Sequence, residues 1–537
     1  LTSAHDHLLV SRLPGRAGQT LLDSIRASSH QLRAPCAGRG SCGKCRVIVH
    51  AVHAVHAGEE SVELTPLADA EREQLSDSEI AHGVRLACHA RYAGDGVVDV
   101  EIGDDGIAIP AEELALACDD TVRAAALAGD RPLRAAIDIG TTTLAVALID
   151  AAADVLLSVR SEANDQKSWG SDVVARIQAV RDDPAALGAL QRAIVRQLDR
   201  LLHVQLIAAG RSADELGLVV IAGNTTMLHL LVGADPSGMA ALPFAPVFLG
   251  IRQMPAGELG FKLPEGCTLL LLPGVSAFVG ADITAGVLAT GLDRAAGIEL
   301  LIDIGTNGEM VLGTGERLLA TATAAGPAFE GAQIGHGCAG VKGALDHCGE
   351  GADGFWYTTI GDAPLRGICG SGLLDLTAWL RQSGALDETG YLELPDGSDA
   401  LHPDPELPVA LDQRDIRQLQ LAKGAIAAGI AILCQRAGID PGEITRVHLA
   451  GGFGAYLRPA SALAIGLLPP VLAGKVHAVG NTALKGALLA ISRSTAIDHC
   501  ARIAQAVEWI DLASDPEFQM TFAECMLFPD DAALATP

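Results

Sequence analysis

The stretch "LRAAIDIGTTTLAVALID", residues 133–150, runs an apolar strand into Asp138, turns at Gly140 through Thr141, Thr142 and Thr143, and leaves as a second apolar strand. Nearly the same device returns in "IELLIDIGTNGEMVLG", residues 298–313, with Asp303, Gly305, Thr306 and Asn307 in the corresponding places. A glycine turn carrying hydroxyls between two strands can grip phosphate, because backbone N–H and threonine O–H groups meet phosphate oxygens. A carboxylate at the strand end can place a hydrated magnesium ion beside them. One such loop is an ordinary hairpin turn. Two in the same strand context point to duplicated halves that clamp one polyphosphate from both sides.

A third segment belongs with them. "ITRVHLAGGFGAYL" (444–457) carries an apolar strand into Gly451, Gly452, Phe453 and Gly454, where missing side chains would let adenosine lie against the backbone. Strands and helices alternate around these motifs: "LGLVVIAGN" then "TTMLHLLVG" in the first half, "KVHAVGN" then "TALKGALLAIS" in the second. Together the segments resemble the phosphate-1, phosphate-2 and adenosine motifs of the actin, sugar-kinase and heat-shock-chaperone (ASKHA) superfamily. The resemblance implies an α/β ATPase of two ribonuclease-H-like halves with ATP and Mg2+ in the cleft between them. Asp138 and Asp303 would be the catalytic, magnesium-placing carboxylates. Gly140, Thr141, Thr142, Thr143, Gly305, Thr306 and Asn307 would hold phosphate, and Gly451, Gly452 and Gly454 would line the adenosine. Gly223–Asn224 and Gly480–Asn481 fit either that superfamily's hinge segments or simple strand-to-helix turns.

Bulk properties narrow the partners. The 537 residues exceed what one core supports, so several domains are expected, and 49% apolar with 3% aromatic residues implies an aliphatic interior. A net charge of −27 repels phosphate backbones and anionic lipid, which argues against nucleic acid and membrane and would welcome a basic patch on a partner. The apolar run "GAIAAGIAILC" (424–434) is too short to span a bilayer and reads as a buried helix, with Lys423 at its start read as snorkelling. The N-terminus "LTSAHDHLLVSR" shows no secretory pattern, so the cytoplasm is the expected compartment and the cysteines are expected reduced or metal-bound.

The first hundred residues read as a small α/β module around "APCAGRGSCGKCRV" (34–47), which crowds Cys36, Cys42 and Cys45 among glycines, with Cys88 following in "RLACHA". Glycines let backbone N–H groups turn toward the sulfides of an iron–sulfur cluster, whereas zinc would show two close Cys or His pairs. The module resembles a β-grasp [2Fe–2S] ferredoxin. Its C-x5-C-x2-C spacing departs from the plant type and is similar to ferredoxins of steroid-hydroxylase systems; the resemblance implies that Cys36, Cys42, Cys45 and Cys88 hold the two irons. His50, His53 and His56 recur every third residue, cannot share one strand face, and read as a hairpin tip. Cys338, Cys348 and Cys369 lack paired spacing and read as buried thiols.

Residues 1–100 are therefore expected to be the ferredoxin module, 101–132 a linker, 133–297 the first half and 298–537 the second. Over essentially its whole length the chain is similar to the reductive activators of corrinoid proteins, ASKHA-type ferredoxin ATPases. The segments that carry this are the four cysteines, "IDIGTTT", "AGNTTMLHLLVG", "PGVSAFVGADITAG", "LIDIGTNGE", "GICGSGLLD" and "LAGGFGAYL". That resemblance implies ATP-dependent one-electron reduction of a Co(II) corrinoid protein to Co(I), which reactivates a methyltransferase. The implied partners are the corrinoid protein and an electron donor such as a flavoprotein reductase, and homodimerisation is left open. An ATP-binding iron–sulfur redox sensor, or an activator of another low-potential enzyme, is the alternative. No residue stands out as a base for a hydrolytic water.

Overall fold

The computed structural model of the chain describes residues 10–27, 45–54, 64–75, 80, 83–101, 118–129, 131–351, 354–454 and 456–530. At the N-terminus β1 (Val10–Gly15), α1 (Leu21–Ala27), β2 (Arg46–Ala54), α2 (Asp69–Gln74), β3 (Val84–Leu86) and β4 (Gly96–Glu101) form one layer of sheet with two short helices. The sheet is antiparallel in the order β1-β4-β2-β3. Alternation along β4 turns Val98 and Val100 inward, onto Leu13, Val47, Leu86 and the Leu21, Leu22, Ile25 face of α1. Pro14 and Gly15 end β1 and the turn falls at Ala17–Gly18, because the proline lacks only an N–H and sits in a strand at the rim of the sheet. His50 and His53 belong to β2, whose register pairs position 53 with Val97 of β4 and shifts between Val49 and Ala51, so residues 50–54 are strand and not a hairpin tip. His56 lies outside the described residues.

The acidic stretch expected to be a linker contains a helix. Asp119 caps α3 (Asp120–Ala128) by accepting from the Val122 N–H, and Val122 and Ala126 are buried in the first lobe's core.

That lobe comprises β5 (Leu133–Ile139), β6 (Thr143–Asp150), β7 (Val155–Ala163), α4 (Val173–Asp182), α5 (Ala185–Ala208), β8 (Leu216–Gly223), α6 (Thr225–Val232), β9 (Arg252–Pro255), β10 (Thr268–Leu271) and α7 (Ala281–Thr290). The second lobe follows with β11 (Glu299–Ile304), β12 (Gly308–Gly313), β13 (Leu318–Thr323), β14 (Ala344–Gly351), β15 (Gly354–Thr359), β16 (Gly367–Ile368), α8 (Gly370–Gln382) and α9 (Gln413–Ala437). It closes with β17 (Arg446–Ala450), α10 (Gly451–Gly454), α11 (Pro459–Ala464), β18 (Val476–Gly480), α12 (Thr482–Ser492), α13 (Ala496–Ala506), β19 (Val507–Trp509) and α14 (Phe518–Cys525).

The two large sheets repeat one plan. The first runs β7-β6-β5-β8-β10-β9 and the second β18-β17-β11-β12-β13-β19. In each, an antiparallel meander (β5-β6-β7; β11-β12-β13) continues into two parallel strands (β8, β10; β17, β18). The duplication inferred from the two Asp-Ile-Gly loops is thus a duplication of whole sheets. The lobes interlock through helices: α12, which follows the second sheet's edge strand, packs on α7 and against β5 and β8 of the first lobe. Helix α9 is apolar and long enough to cross a membrane by length, yet 78% of its most apolar window is buried inside the protein. Lys423 on it is not a snorkelling lysine. Its ammonium bonds the Leu527 carbonyl and lies 5.0 Å from the Phe528 ring centroid, clamping the C-terminal segment.

Candidate functional site

The first Asp-Ile-Gly loop is braced from behind. Gly140 N–H donates to the Thr143 carbonyl at 3.0 Å, closing the turn. The remaining carbonyls are taken up by neighbours: Asn164 Nδ2 donates to Gly140 O (2.9 Å), Asn164 N–H to Thr142 O (2.8 Å), and Arg176 Nη2 to Thr141 O (2.5 Å). All four carbonyls of the turn are therefore engaged within the protein, and none is left to repel an anion. Asn224, at the end of β8, caps α6 through its Oδ1 on the Met227 N–H. This fixes its Nδ2 as the donor to Thr141 Oγ1 at 2.8 Å, so the threonine's own O–H is left to donate elsewhere.

The second loop has the opposite arrangement. Gly305 N–H closes a tighter turn on Asn307 O at 2.9 Å. Thr306 is buried, and its O–H is committed to the Glu330 carboxylate at 2.7 Å, so it can only accept from a further partner. Asn481 repeats the role of Asn224 at the end of β18. Its Oδ1 caps α12 on the Leu484 N–H, and its Nδ2 reaches across to Asp138 Oδ2 of the first lobe at 2.7 Å. Both Gly-Asn pairs are strand-to-helix turns, and both asparagines reach the first loop.

Four carboxylates converge at this junction. Burial raises the pKa of Asp138 to about 7 and of Asp303 to about 6, and the Asn481 bond only partly offsets the effect at Asp138. Asp282, in the first turn of α7, is raised to about 8 by burial and by the charges of Asp303 and Asp138. Glu309 on β12 is raised for the same reasons, burial first and then Asp282 and Asp303. Mutual repulsion of this kind is relieved by protonation or by a cation. Among the described residues no three Asp, Glu, His or Cys side chains stand close enough to ligate a metal directly. The arrangement suits an ion that keeps most of its waters and takes other oxygens from a ligand, as magnesium does.

The glycine motif borders the same carboxylates. Gly451 has φ +91° and a Cβ there would lie 2.6 Å from Asp303 Oδ1, so only glycine fits. A Cβ on Gly452 would meet nothing within 4 Å, whereas Gly454 backs onto Leu449. Phe453 stacks on Phe329 with centroids 5.0 Å apart, and the N-terminus of α8 packs under both, with a Gly370 Cβ 2.1 Å from Phe329 O. Close packing accounts for the Gly-Ser-Gly there.

In the N-terminal module Cys36 and Cys42 lie outside the described residues. Cys45 and Cys88 are buried with their sulfurs 3.3 Å apart, beyond a disulfide's ~2.05 Å and close to the ~3.8 Å edge of a tetrahedron of thiolates bonded at ~2.3 Å to one metal. His89 Nε2 is buried beside them without a hydrogen-bond partner among the described residues. Cys348 and Cys369 are buried, with burial raising both thiols, as expected of inert thiols; Cys338 is half-buried.

Of the residues singled out in the sequence, the structure brings Asp138, Asp303 and Gly451 together at one junction. Asp282 and Glu309, which share that junction, and Asn164 and Arg176, which brace the first loop, were not singled out there. Asp282 sits inside "PGVSAFVGADITAG" and Glu309 inside "LIDIGTNGE", both quoted above, but neither has a local spacing that tells a ligand-facing carboxylate from a helix-start or strand carboxylate.

Duplicated sheets with interlocking helices, a matching loop in each lobe and a glycine motif beside Asp303 define a two-lobed protein of the ASKHA class. Residues 297–536 match the family model described as the C-terminal domain of RACo, the ASKHA domain, and residues 133–295 match the RACo middle region. The corrinoid activation enzyme RamQ of Eubacterium limosum is 31% identical over 422 residues, covering 74% of this chain and 71% of that one. The [Co(II) methylated amine-specific corrinoid protein] reductase of Methanosarcina barkeri is 26% identical over 322 residues, 54% of this chain and 58% of its own. A solved reductive activator for corrinoid,iron-sulfur protein superposes with a TM-score of 0.67 at 28% identity, over 96% of each chain. The chain belongs to the reductive activators of corrinoid proteins.

Proposed function

We propose that this protein returns an inactive Co(II) corrinoid protein to Co(I) by single-electron transfer, with ATP bound between the lobes, and so restores a corrinoid-dependent methyltransferase. One observation carries the reading. Asp138 of the first lobe and Asp303 of the second share one electrostatic cluster where Asn481 bridges the lobes, so a ligand that relieves the cluster acts on both lobes together.

In this reading Gly140, Thr141, Thr142 and Thr143 take phosphate oxygens, with Thr141 as the hydroxyl donor. Gly305, Thr306 and Asn307 close from the other side, and Gly451, Gly452 and Gly454 line the adenosine. Asp138, Asp303 and Asp282 hold hydrated magnesium, with Asp282 the candidate to orient a hydrolytic water. Residues 1–100 are the ferredoxin module, in which Cys36, Cys42, Cys45 and Cys88 hold a [2Fe–2S] cluster; the Cys45–Cys88 separation supports the second ligand pair. Such a cluster supplies single electrons near −400 mV in plant-type ferredoxins. For a one-electron step each ~59 mV uphill lowers the equilibrium constant tenfold, which is the physical need for nucleotide. The strongly acidic surface favours a basic docking patch on the corrinoid protein or on the reductase that supplies electrons.

The test is anaerobic. Reduced protein is mixed with a Co(II) corrinoid protein, and Co(I) absorption is followed with and without MgATP. Co(I) is expected only with MgATP, and not at all with Cys42→Ser. Equal Co(I) without nucleotide would remove ATP from the mechanism, and full activity in Cys42→Ser would remove the cluster.

A further inference from the structure

Arg176, on α4, heads the largest fully buried side chains among the described residues. Its guanidinium donates from Nε to Gly170 O (3.0 Å), from Nη1 to Gln166 Oε1 (3.3 Å) and Met227 Sδ (3.0 Å), and from Nη2 to Thr141 O (2.5 Å). None of these partners is a carboxylate. The nearby charge is Asp172, whose carboxylate is engaged in capping α4 on the Ala175 N–H at 2.7 Å. A neutral amide could hold a carbonyl equally well, as Asn164 does at Gly140. A guanidinium adds a full positive charge in a low-dielectric site, which is unfavourable unless an anion approaches. The element it holds is the turn whose four carbonyls are all hydrogen-bonded within the protein.

We propose that Arg176 is a positioning residue of the nucleotide site, fixing the Thr141 peptide and placing a buried positive charge behind the loop that receives phosphate. This rests on the nucleotide reading above and deepens it: the first loop's phosphate affinity comes in part from a charge that never touches the ligand. Two features of the fold make the charge effective. Burial prevents water from screening it, and its four contacts keep it from moving when the ligand leaves. Gln166 matters in the same way, because it sets the guanidinium's orientation with a neutral oxygen and does not cancel its charge.

Equilibrium binding of a fluorescent ATP analogue with Mg2+ to the full chain provides the test. Arg176→Met, which keeps bulk and loses charge, is expected to weaken binding about tenfold or more, and Arg176→Lys to recover part of it, since lysine keeps charge but not the fork. In turnover KM for ATP should rise with kcat changed less than about threefold, the pattern of lost ground-state binding. Gln166→Glu is the decisive variant, because it preserves size and the Nη1 contact while neutralising the guanidinium, at the loss only of the Gln166 Nε2 bond to the Leu190 carbonyl (3.0 Å), whose effect the melting temperature reads. A weakening of about tenfold is expected there too. Native-like affinity in Gln166→Glu, with native-like melting, overturns the proposal even if the Arg176 variants fail to fold. A native protein that does not bind the analogue overturns the nucleotide reading and this inference with it, whereas native binding with an indifferent Gln166→Glu overturns this inference alone.

Discussion

Thr141 and Thr306 occupy equivalent places in two nearly identical loops, yet their hydroxyls are wired in opposite senses. Thr141 Oγ1 receives the Asn224 amide and keeps its proton, while Thr306 gives its proton to Glu330. Removal of the two hydroxyls should therefore have different consequences. Thr141→Val is expected to lower ATP affinity about tenfold with a small stability change, as loss of one hydrogen bond to a charged group. Thr306→Val removes one donor to the half-buried Glu330 carboxylate, and should destabilise the protein by about 1–3 kcal/mol. Isothermal titration and thermal melting of both variants separate these outcomes, and equal losses of affinity with equal stability would contradict the assignment. The residue types at these positions were legible from "DIGTTT" and "DIGTN", but the direction of each hydroxyl was not. It depends on Asn224 and Glu330, which approach from other elements.

At the scale of elements, strand–turn–strand units and strand-to-helix turns could be read from apolar runs ending in glycine, because those signals are local. What joins the lobes could not. Helix α12 reads as an ordinary apolar helix in "TALKGALLAIS", and only in three dimensions does Gly486 bring its backbone onto α7, where a Cβ would lie 2.1 Å from Ala285 O. Gly286 of α7 faces the same crossing, with a Cβ 3.0 Å from Thr482 Oγ1. This glycine-to-backbone contact carries Asn481, at the cap of α12, to Asp138. Gly486→Ala must push the helices apart and is expected to destabilise the protein by about 1–3 kcal/mol, the usual penalty for overpacking. It should also weaken the response of one lobe to the other. Measured by melting temperature and by protection of α7 amides from hydrogen exchange on addition of MgATP, the variant should melt earlier and show less protection; a native-like Tm would show that the crossing is looser than its geometry implies. Helix α3 escaped the sequence reading for a related reason. Its two buried residues, Val122 and Ala126, are too few to mark a core helix inside an acidic stretch.

The whole molecule carries a net charge of −27 and still gathers Asp138, Asp282, Asp303 and Glu309 at the junction of its lobes. Raised carboxyl pKa values mean that the folded state holds protons the unfolded chain has released, so this cluster contributes stability that is present at low pH and lost as pH rises through the folded values. Asp303, Asp138 and Asp282, raised to about 6, 7 and 8, set the window. Other groups act elsewhere on the scale. Carboxylates such as Glu71 and Asp515, whose pKa is lowered, contribute stability that is complete above the ordinary carboxylate range and lost only as pH falls below it, and the neutral His229 favoured by burial likewise loses stability only below about 6.5. Between pH 6.5 and 8 the junction therefore dominates, and the melting temperature of the nucleotide-free protein in a chelator should fall by several degrees. Adding Mg2+ with ATP supplies the compensating charge, so its stabilisation should be larger at pH 8 than at pH 6.5, where protons already do part of the same work. Scanning calorimetry over that range with and without MgATP checks both signs. In Asp282→Asn, which removes the group raised to about 8, the fall with pH should be shallower and the extra stabilisation at pH 8 smaller. A chelator profile that rises from pH 6.5 to 8 would mean that the four carboxylates do not share a cluster, and the common ligand inferred for the two lobes would lose its basis.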